Sequence, residues 1–379
     1  MFKIKTLNNI AEVGLAPLRD RGYTITDADG DAVIVRSADM HSMEFNPELL
    51  SIARAGAGVN NIPTDRCVDE GIVVFNTPGA NAEAVKELTI CALLLSSRDV
   101  FGGMEWVQGV KGQSGVAAQV ETEKAKFTGP EIKGKTLGVL GLGATGALVA
   151  NAAVGLGMKV LGYDPYLSVS AAWRLSAEIV SADLDTVYKN CDYISIHVPY
   201  MPATRHMIDA TAIAKMRDGV RIINCARAEL VNDEDILAAL SAGKVFRYVT
   251  DFPNDVTAGA PGVIGLPHLG ASTPESEDNC ASMAADQTIE YLENGNIINS
   301  VNFPNLTLNR SGECRLCVLS KVALTDKLTA ILEADGYGIV KMAEADRDGA
   351  AYTIIDLDKK FDGEEAVAAL DGVLRVRVI

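Results

Sequence analysis

Residues 138–146 read GVLGLGATG, and this stretch decides how the middle of the chain folds. It lies in an apolar run that predicts a buried strand, and it opens a helical pattern, ALVANAAVGLG. The spacing Gly141-x-Gly143-x-x-Gly146 is typical of a turn whose backbone N–H groups approach a pyrophosphate at a helix N-terminus. A tight turn before a buried helix would give the same spacing, so the motif alone is weak evidence.

The next predicted strand strengthens the interpretation. It ends at Asp164, eighteen residues after Gly146. A dinucleotide-binding fold places an acid there to accept hydrogen bonds from the adenosine ribose, and a carboxylate would repel a 2′-phosphate. The sequence therefore predicts an NAD site rather than an NADP site.

Outward from this motif, short β-branched runs alternate with segments of helix length. This alternation predicts βαβ units and an α/β fold with two doubly wound parallel sheets. The predicted strands lie within residues 31–37, 49–55, 71–77, 136–143, 159–164, 191–198, 220–226 and 244–252.

Two breaks divide the chain. The polar, Gly-rich segment 97–135 separates a first α/β unit from a second, and Pro, Asn and Gly interrupt the pattern at 300–313. The tail after the second break has the order strand, helix, two strands, helix, strand, which predicts a small ferredoxin-like βαββαβ domain.

Composition restricts the class of protein. A chain of 379 residues with 48% hydrophobic and 22% charged residues is expected to form two or three globular domains. The net charge of −16 argues against nucleic acid or an anionic membrane as a partner. With neither a signal-peptide pattern nor an 18-residue apolar run, a cytoplasmic location is expected. The seven cysteines are predicted to be reduced packing residues, and no metal site is expected.

Four further stretches carry polar residues suited to chemistry. RAGAGVNNI (54–62) and FNTPGANAEAVKEL (75–88) lie in the first unit, and INCARAELV (223–231) and DFPND with PHLGAST (251–273) lie in the second. With these, nearly the whole chain resembles the D-isomer-specific 2-hydroxyacid dehydrogenases that carry a C-terminal ACT domain. The resemblance implies a discontinuous substrate domain (1–97 and 273–305), an NAD-binding domain (98–272) and an ACT-like domain (310–379).

The chemistry of such a family explains the residue types. Oxidising a secondary alcohol requires a base for the hydroxyl proton, and His268 suits this role because imidazole exchanges a proton near neutral pH. Arg227 suits the substrate carboxylate and developing carbonyl, because its planar guanidinium binds carboxylates bidentately. A Pro-His pair alone would more often be structural.

The resemblance implies the remaining site residues. The substrate would be held by Arg54, a candidate for a phosphate group, and by the backbone of Gly56, Ala57, Gly58 and Val59. The cofactor would be held by Thr77, Gly141, Gly143, Ala144, Thr145, Gly146, Asp164, Val198, Cys225, Ala226, Asp251 and Gly270. Asp251 corresponds to the aspartate that meets the nicotinamide amide.

Two positions depart from the family pattern. The catalytic glutamate that partners the histidine is replaced by Val256, so the neighbouring Asp255 is predicted to take its role, and Ala228 stands where glycine is usual. A carboxylate beside an imidazole stabilises its protonated form. These departures predict a less efficient site rather than a different one.

The resulting functional hypothesis is NAD-dependent oxidation of D-3-phosphoglycerate, a small anionic 2-hydroxy acid, as the first step of L-serine biosynthesis. A glyoxylate or hydroxypyruvate reductase and an NAD-sensing protein without turnover are the alternatives. The resemblance also implies a homodimer or homotetramer. The tail carries Ser320, Val322 and Leu324 where serine-sensing relatives have His, Asn and Pro, so weak or absent inhibition by L-serine is expected.

Overall fold

The computed structural model describes all residues from 1 to 379. The N-terminal segment alternates strands and helices, as the sequence predicts. Its elements are β1 (Lys3–Leu7), α1 (Glu12–Asp20), β2 (Thr24–Thr26), β3 (Ala32–Val35), β4 (Ser51–Arg54), α2 (Thr64–Asp69) and β5 (Val73–Phe75). The five strands form one parallel sheet in the order β2-β1-β3-β4-β5.

The middle of the chain forms a second, seven-stranded parallel sheet. Its elements are α3 (Ala82–Ser97), α4 (Val100–Gly109), α5 (Val116–Glu123), a 3-10 turn (Lys124–Phe127), β6 (Thr136–Leu140), α6 (Ala144–Gly155), β7 (Lys159–Tyr163), α7 (Val169–Ala172), β8 (Ile179–Ser181), α8 (Leu184–Asn190), β9 (Tyr193–Ile196), α9 (Ala210–Lys215), β10 (Val220–Asn224), a 3-10 turn (Ala228–Leu230), α10 (Asp233–Ser241), β11 (Val245–Thr250) and β12 (Val263–Gly265). The strand order is β12-β11-β10-β9-β6-β7-β8. The order reverses between β6 and β9, where open α/β sheets bind ligands.

The C-terminal part begins with one long helix and continues into an antiparallel sheet. Its elements are α11 (Pro274–Asn294), β13 (Cys314–Ser320), α12 (Thr325–Ala334), β14 (Ile339–Arg347), β15 (Ala350–Leu357), α13 (Glu364–Ala368) and β16 (Val373–Val378). The sheet order β14-β15-β13-β16 is that of a ferredoxin-like domain. The predicted fold class is therefore confirmed for both parallel sheets and for the tail. None of the helices combines the length and the apolar character that crossing a membrane requires.

The chain divides into two compact units, residues 1–81 with 274–379 and residues 82–273. The sequence analysis places the boundaries at 97 and 272 instead. The two divisions differ mainly in α3, which belongs to the second unit in the structure. Buried Ala92 and Leu93 of α3 pack with Leu137 and Val139 of β6 in one core cluster. Periodicity shows that α3 has an apolar face, but not which sheet that face covers.

Within the first unit, the tail shares a core with the N-terminal sheet. Cys317, Leu319, Tyr352 and Ile354 of β13 and β15 belong to the cluster that contains Ile4 and other residues of the N-terminal segment and α11. The opposite face of the tail sheet is covered by α12 and α13. The tail is thus packed into its unit through one whole face of its sheet.

Candidate active site

The glycine loop after β6 contains three glycines with different surroundings. Gly141 has φ +90°, and a Cβ there would lie 2.8 Å from the carbonyl carbon of His197. At Gly146 a Cβ would lie 1.9 Å from the Gly141 carbonyl oxygen. At Gly143 a Cβ would meet no protein atom within 4 Å. The first and third glycines are needed for packing, whereas the second faces open space that a ligand can enter.

The helix that follows this loop presents free backbone donors. Gly143 is the N-cap of α6, and no side chain caps the first turn, which includes Ala144 and Thr145. The first N–H groups of an α-helix have no acceptor within the helix, and the helix dipole adds partial positive charge there. This geometry fits the pyrophosphate of a dinucleotide.

Asp164 lies at the end of β7, next to the glycine loop. Its Oδ2 accepts a hydrogen bond from the backbone N–H of Leu142, and its Oδ1 accepts one from Tyr166, both at 2.9 Å. These bonds fix the carboxylate beside the loop. The carboxylate therefore lies beside the glycine loop, where the sequence predicts an acid that would repel a 2′-phosphate.

His197 and Val198 follow β9 and lie against the glycine loop. The Val198 backbone nitrogen is 2.9 Å from the position of a Cβ on Gly141. The His197 Nε2 lies 2.8 Å from the Ser195 hydroxyl, and desolvation by burial lowers the pKa of His197 to about 4. The imidazole is therefore neutral at pH 7 and packs beneath the loop.

The turn after β10 presents Arg227. The buried Asn224 side chain donates to the Arg227 carbonyl at 2.8 Å and accepts from the Ala226 and Arg227 N–H groups. Cys225 is buried, which raises the pKa of its thiol to about 12 and keeps it protonated. Asn224 thus fixes the backbone from which the exposed Arg227 side chain extends.

The loop that carries His268 is held by Asp251. The buried Asp251 carboxylate accepts hydrogen bonds from the backbone N–H groups of Leu269 and Gly270, both at 2.8 Å. His268 itself is exposed and has φ +55°, a left-handed conformation that is uncommon outside glycine. In this structure Asp251 therefore anchors the histidine loop, a role that the sequence did not predict for it.

Asp255 and Val256 lie at the tip of an exposed turn. Asn254 holds this turn by accepting from the N–H groups of Val256 and Thr257, both at 3.0 Å. The one histidine ion pair in the protein joins His41 and Asp39. The predicted contact between Asp255 and His268 is therefore not formed in this structure, because the turn projects Asp255 into solvent.

Sequence reasoning missed Phe252, which contacts both predicted catalytic side chains. The Phe252 and His268 ring centroids are 4.6 Å apart, and the Arg227 guanidinium carbon lies 5.5 Å from the Phe252 centroid. The only signal in the sequence was an aromatic residue directly after Asp251. Thus β10, β11 and the loop after β12 bring Arg227, Phe252 and His268 together.

In the first unit, the loop after β4 presents unpaired backbone donors. The N–H groups of Ala57, Gly58 and Val59 donate no hydrogen bond within the protein. Asn76 holds this loop through a 2.6 Å bond to the Ala57 carbonyl, and Thr77 donates its N–H to Gly56 at 3.1 Å. Such a loop can receive a carboxylate.

Two side chains beside this loop complete the predicted set. The Arg54 Nε donates to the Arg36 carbonyl at 3.0 Å, and a Cβ on Gly56 would lie 2.5 Å from the Arg54 Nη1. Gly56 therefore leaves space for the guanidinium. The Thr77 hydroxyl is buried and has no partner in the protein, which fits a bound polar group.

The reversed strand order, the open glycine loop and the acid after β7 define the class as a dinucleotide-binding dehydrogenase fold. The sequence model described as "D-isomer specific 2-hydroxyacid dehydrogenase, NAD binding domain" matches residues 92–270. The chain belongs to the D-isomer-specific 2-hydroxyacid dehydrogenase family, and its second unit carries the NAD-binding domain.

Individual relatives agree with this family. The D-3-phosphoglycerate dehydrogenase of Methanocaldococcus jannaschii is 32% identical over 87% of this chain and 63% of its own length. That of Mycobacterium leprae is 32% identical over 91% of this chain and 67% of its own length. The chain thus spans about two thirds of each.

A solved structure shows the same relationship. The crystal structure of NAD⁺-bound 3-phosphoglycerate dehydrogenase from Entamoeba histolytica is 27% identical, with a TM-score of 0.64. The structural match covers 80% of this chain and 99% of the Entamoeba histolytica chain. That protein binds NAD⁺ on a fold similar to this one.

Proposed function

We propose that this protein oxidises D-3-phosphoglycerate to 3-phosphohydroxypyruvate with NAD, the first step of L-serine biosynthesis. The observation that carries the proposal is that the Arg227 and His268 side chains both contact the Phe252 ring. The loops that carry these residues follow strands of the same sheet that carries the open glycine loop. The relatives named D-3-phosphoglycerate dehydrogenase support the choice of substrate.

Each residue has a chemical task in this proposal. His268 takes the proton of the substrate hydroxyl on an imidazole nitrogen. The Arg227 guanidinium binds the substrate carboxylate and stabilises the charge that develops on the carbonyl oxygen. NAD, when bound, supplies the hydride acceptor.

The first unit supplies the remaining substrate contacts in this proposal. The free N–H groups of Ala57, Gly58 and Val59 bind the carboxylate, and Arg54 binds the phosphate. In the second unit Asp164 selects NAD.

We also propose that the protein is a homodimer or homotetramer that associates through helix α4. This helix buries none of its residues, and Val100, Phe101, Met104 and Val107 are 43–62% exposed. A contiguous apolar surface of this kind marks an interaction site. A monomeric mass in solution would contradict the proposal.

Hydride transfer tests the activity. Initial rates of NADH formation should be highest with D-3-phosphoglycerate in a panel that also contains D-lactate and D-glycerate. His268→Ala should lower kcat by at least about a hundredfold, the usual contribution of a general base, and change NAD affinity little. Comparable rates with the unphosphorylated acids would refute the phosphate preference, and a smaller drop would remove His268 from proton transfer.

A further inference from the structure

Phe252 is the ring that contacts both predicted catalytic side chains. Its centroid lies 4.6 Å from that of the His268 imidazole, with 50° between the ring planes. The Arg227 guanidinium carbon lies over the same ring at 5.5 Å. The imidazole and the guanidinium therefore share one aromatic neighbour.

The backbone around Phe252 is fixed. Its N–H donates to the Thr250 hydroxyl at 3.1 Å, directly after β11, and the neighbouring Asp251 N–H donates to the Asn224 carbonyl at 3.0 Å. Asn224 holds the turn of Arg227, and Asp251 holds the loop of His268. Phe252, directly after β11, thus stands between two anchored loops that follow the strands on either side of β11, namely β10 and β12.

No acid in the surrounding loops of this unit performs the same task. Both Asp251 oxygens accept backbone N–H groups, and Asp255 lies on an exposed turn without an ion pair to His268. The Arg227 guanidinium carbon lies 5.5 Å from the centroid of the shared ring. The contact that the structure gives to the His268 side chain is therefore aromatic.

We propose that Phe252 is a positioning residue that holds the His268 imidazole and the Arg227 guanidinium in their working orientations. This inference rests on the proposed function. A planar ring suits the task because its electron-rich face attracts the guanidinium and its contact with the tilted imidazole depends on ring orientation, whereas an aliphatic side chain of similar volume offers no such directional surface. Small displacements of catalytic groups lower the rate strongly, so loss of the ring should affect turnover more than binding.

Three variants test the proposal. Phe252→Leu should lower kcat by about tenfold or more with little change in NAD affinity, because an aliphatic side chain orients the two groups poorly. Phe252→Tyr should restore kcat to within about threefold of the parent, because the ring remains. Equal losses in the Leu and Tyr variants would contradict a role for the ring.

Phe246→Leu is the matched control. Phe246 lies in β11, six residues before Phe252 and so at most about 20 Å away along the chain. Its ring likewise contacts two arginines, Arg221 at 4.5 Å and Arg247 at 5.5 Å. Its loss should leave kcat unchanged. A similar loss in both Leu variants would mean that the effect is a general weakening of the fold.

An NMR measurement separates this inference from the proposed function. The Phe252 ring current shifts the imidazole C–H resonances of His268, which can be assigned by comparison with His268→Gln. In the full-length protein Phe252→Leu should move these resonances, whereas Phe246→Leu should not. If the resonances stay unchanged, the inference fails whatever the activity. If the resonances move but no 2-hydroxy acid is oxidised, the proposed function fails and the contact between the two rings stands. If the resonances move and kcat does not change in an active enzyme, the positioning role is refuted.

Discussion

The carboxylate of Asp251 lies 2.8 Å from the backbone nitrogen of Gly270, and its other oxygen accepts from Leu269 at the same distance. A Cβ on Gly270 would lie 3.0 Å from the Asp251 Oδ2, so a larger residue there would push the carboxylate by a few tenths of an ångström. This buried pair of bonds fixes the backbone on the C-terminal side of His268. The position of the proposed base thus depends on a residue that need not touch substrate.

Asp251→Asn should therefore damage both stability and turnover. The amide keeps one acceptor but turns its NH2 group toward a backbone donor, which leaves a buried group unsatisfied. The expected cost is about 1–3 kcal/mol in the free energy of unfolding, measured by urea denaturation. We expect kcat to fall, because the His268 loop loses one of its two anchors. Unchanged stability and kcat would show that the loop is held in another way.

Asp255→Ala should have little effect, since Asp255 is exposed and forms no ion pair with His268. We expect kcat to stay within about twofold of the parent at every pH, as is usual for a surface substitution. Val256→Glu adds a carboxylate to the same turn and should leave activity equal or higher, with Val256→Gln as the uncharged control. A tenfold loss in Asp255→Ala would instead identify Asp255 as the partner of His268 during turnover.

The glycine loop allows a test of NAD binding that does not depend on activity. A Cβ at Gly143 meets no protein atom within 4 Å, so Gly143→Ala should fold normally and still block the space for the cofactor. We expect NAD affinity, measured by calorimetry, to fall at least about tenfold, or about 1.4 kcal/mol.

Gly155→Ala, in equally open surroundings at the end of α6, is the control and should bind NAD like the parent. Gly146→Ala should be destabilised instead, because its Cβ overlaps a carbonyl oxygen. Normal NAD affinity in Gly143→Ala would place the cofactor elsewhere.

The sequence predicted the fold better than the site. The strand β6, with the sequence TLGVL, was predicted because four of its five residues are buried, which favours a nearly continuous apolar run. The sequence analysis did not predict β1, whose residues KIKTL mix lysines with apolar side chains, or the short strands β2, β8 and β12.

The contacts within the candidate site were also only partly predictable from the sequence. His268 and Arg227 were proposed from the sequence because their chemistry is distinctive. The anchoring bonds of Asp251 and the ring contact of Phe252, in contrast, join residues through three-dimensional proximity. Spacing in the chain contains no information on such contacts. The Asp255 expectation rested on adjacency in sequence, and the Asn254 turn directs that side chain away.

His197 predicts a pH dependence of stability. Desolvation lowers its pKa from 6.5 to about 4 in the folded protein, so the unfolded chain takes up a proton at higher pH than the folded one. The stabilisation is complete above about pH 6.5 and is lost as the pH falls toward 4, by up to about 3 kcal/mol. Urea unfolding between pH 4 and 7 should show a weaker pH dependence in His197→Gln than in the parent. His41→Gln, at an exposed histidine, should follow the parent, and an equal slope in all three proteins would refute the assignment.

The last prediction concerns the tail, which we propose serves a structural role. Arg377 of β16 donates to the carbonyls of Tyr291 and Leu292 at the end of α11, at 3.1 and 2.9 Å, and its guanidinium carbon lies 4.6 Å from the Tyr291 ring centroid. Arg377→Met leaves these carbonyls without their charged donor and should lower the free energy of unfolding by about 2–4 kcal/mol in a single transition, because the tail and the N-terminal sheet share a core. Lys321→Met removes only the exposed ion pair with Asp69 and should cost at most about 1 kcal/mol. The structural role also predicts that L-serine does not inhibit the enzyme. Initial rates should not fall as the L-serine concentration rises to about millimolar, because Val322 and Leu324 supply no side-chain hydrogen bonds for a zwitterion. Strong inhibition at lower concentrations, or a separate unfolding transition for the tail, would contradict this structural role.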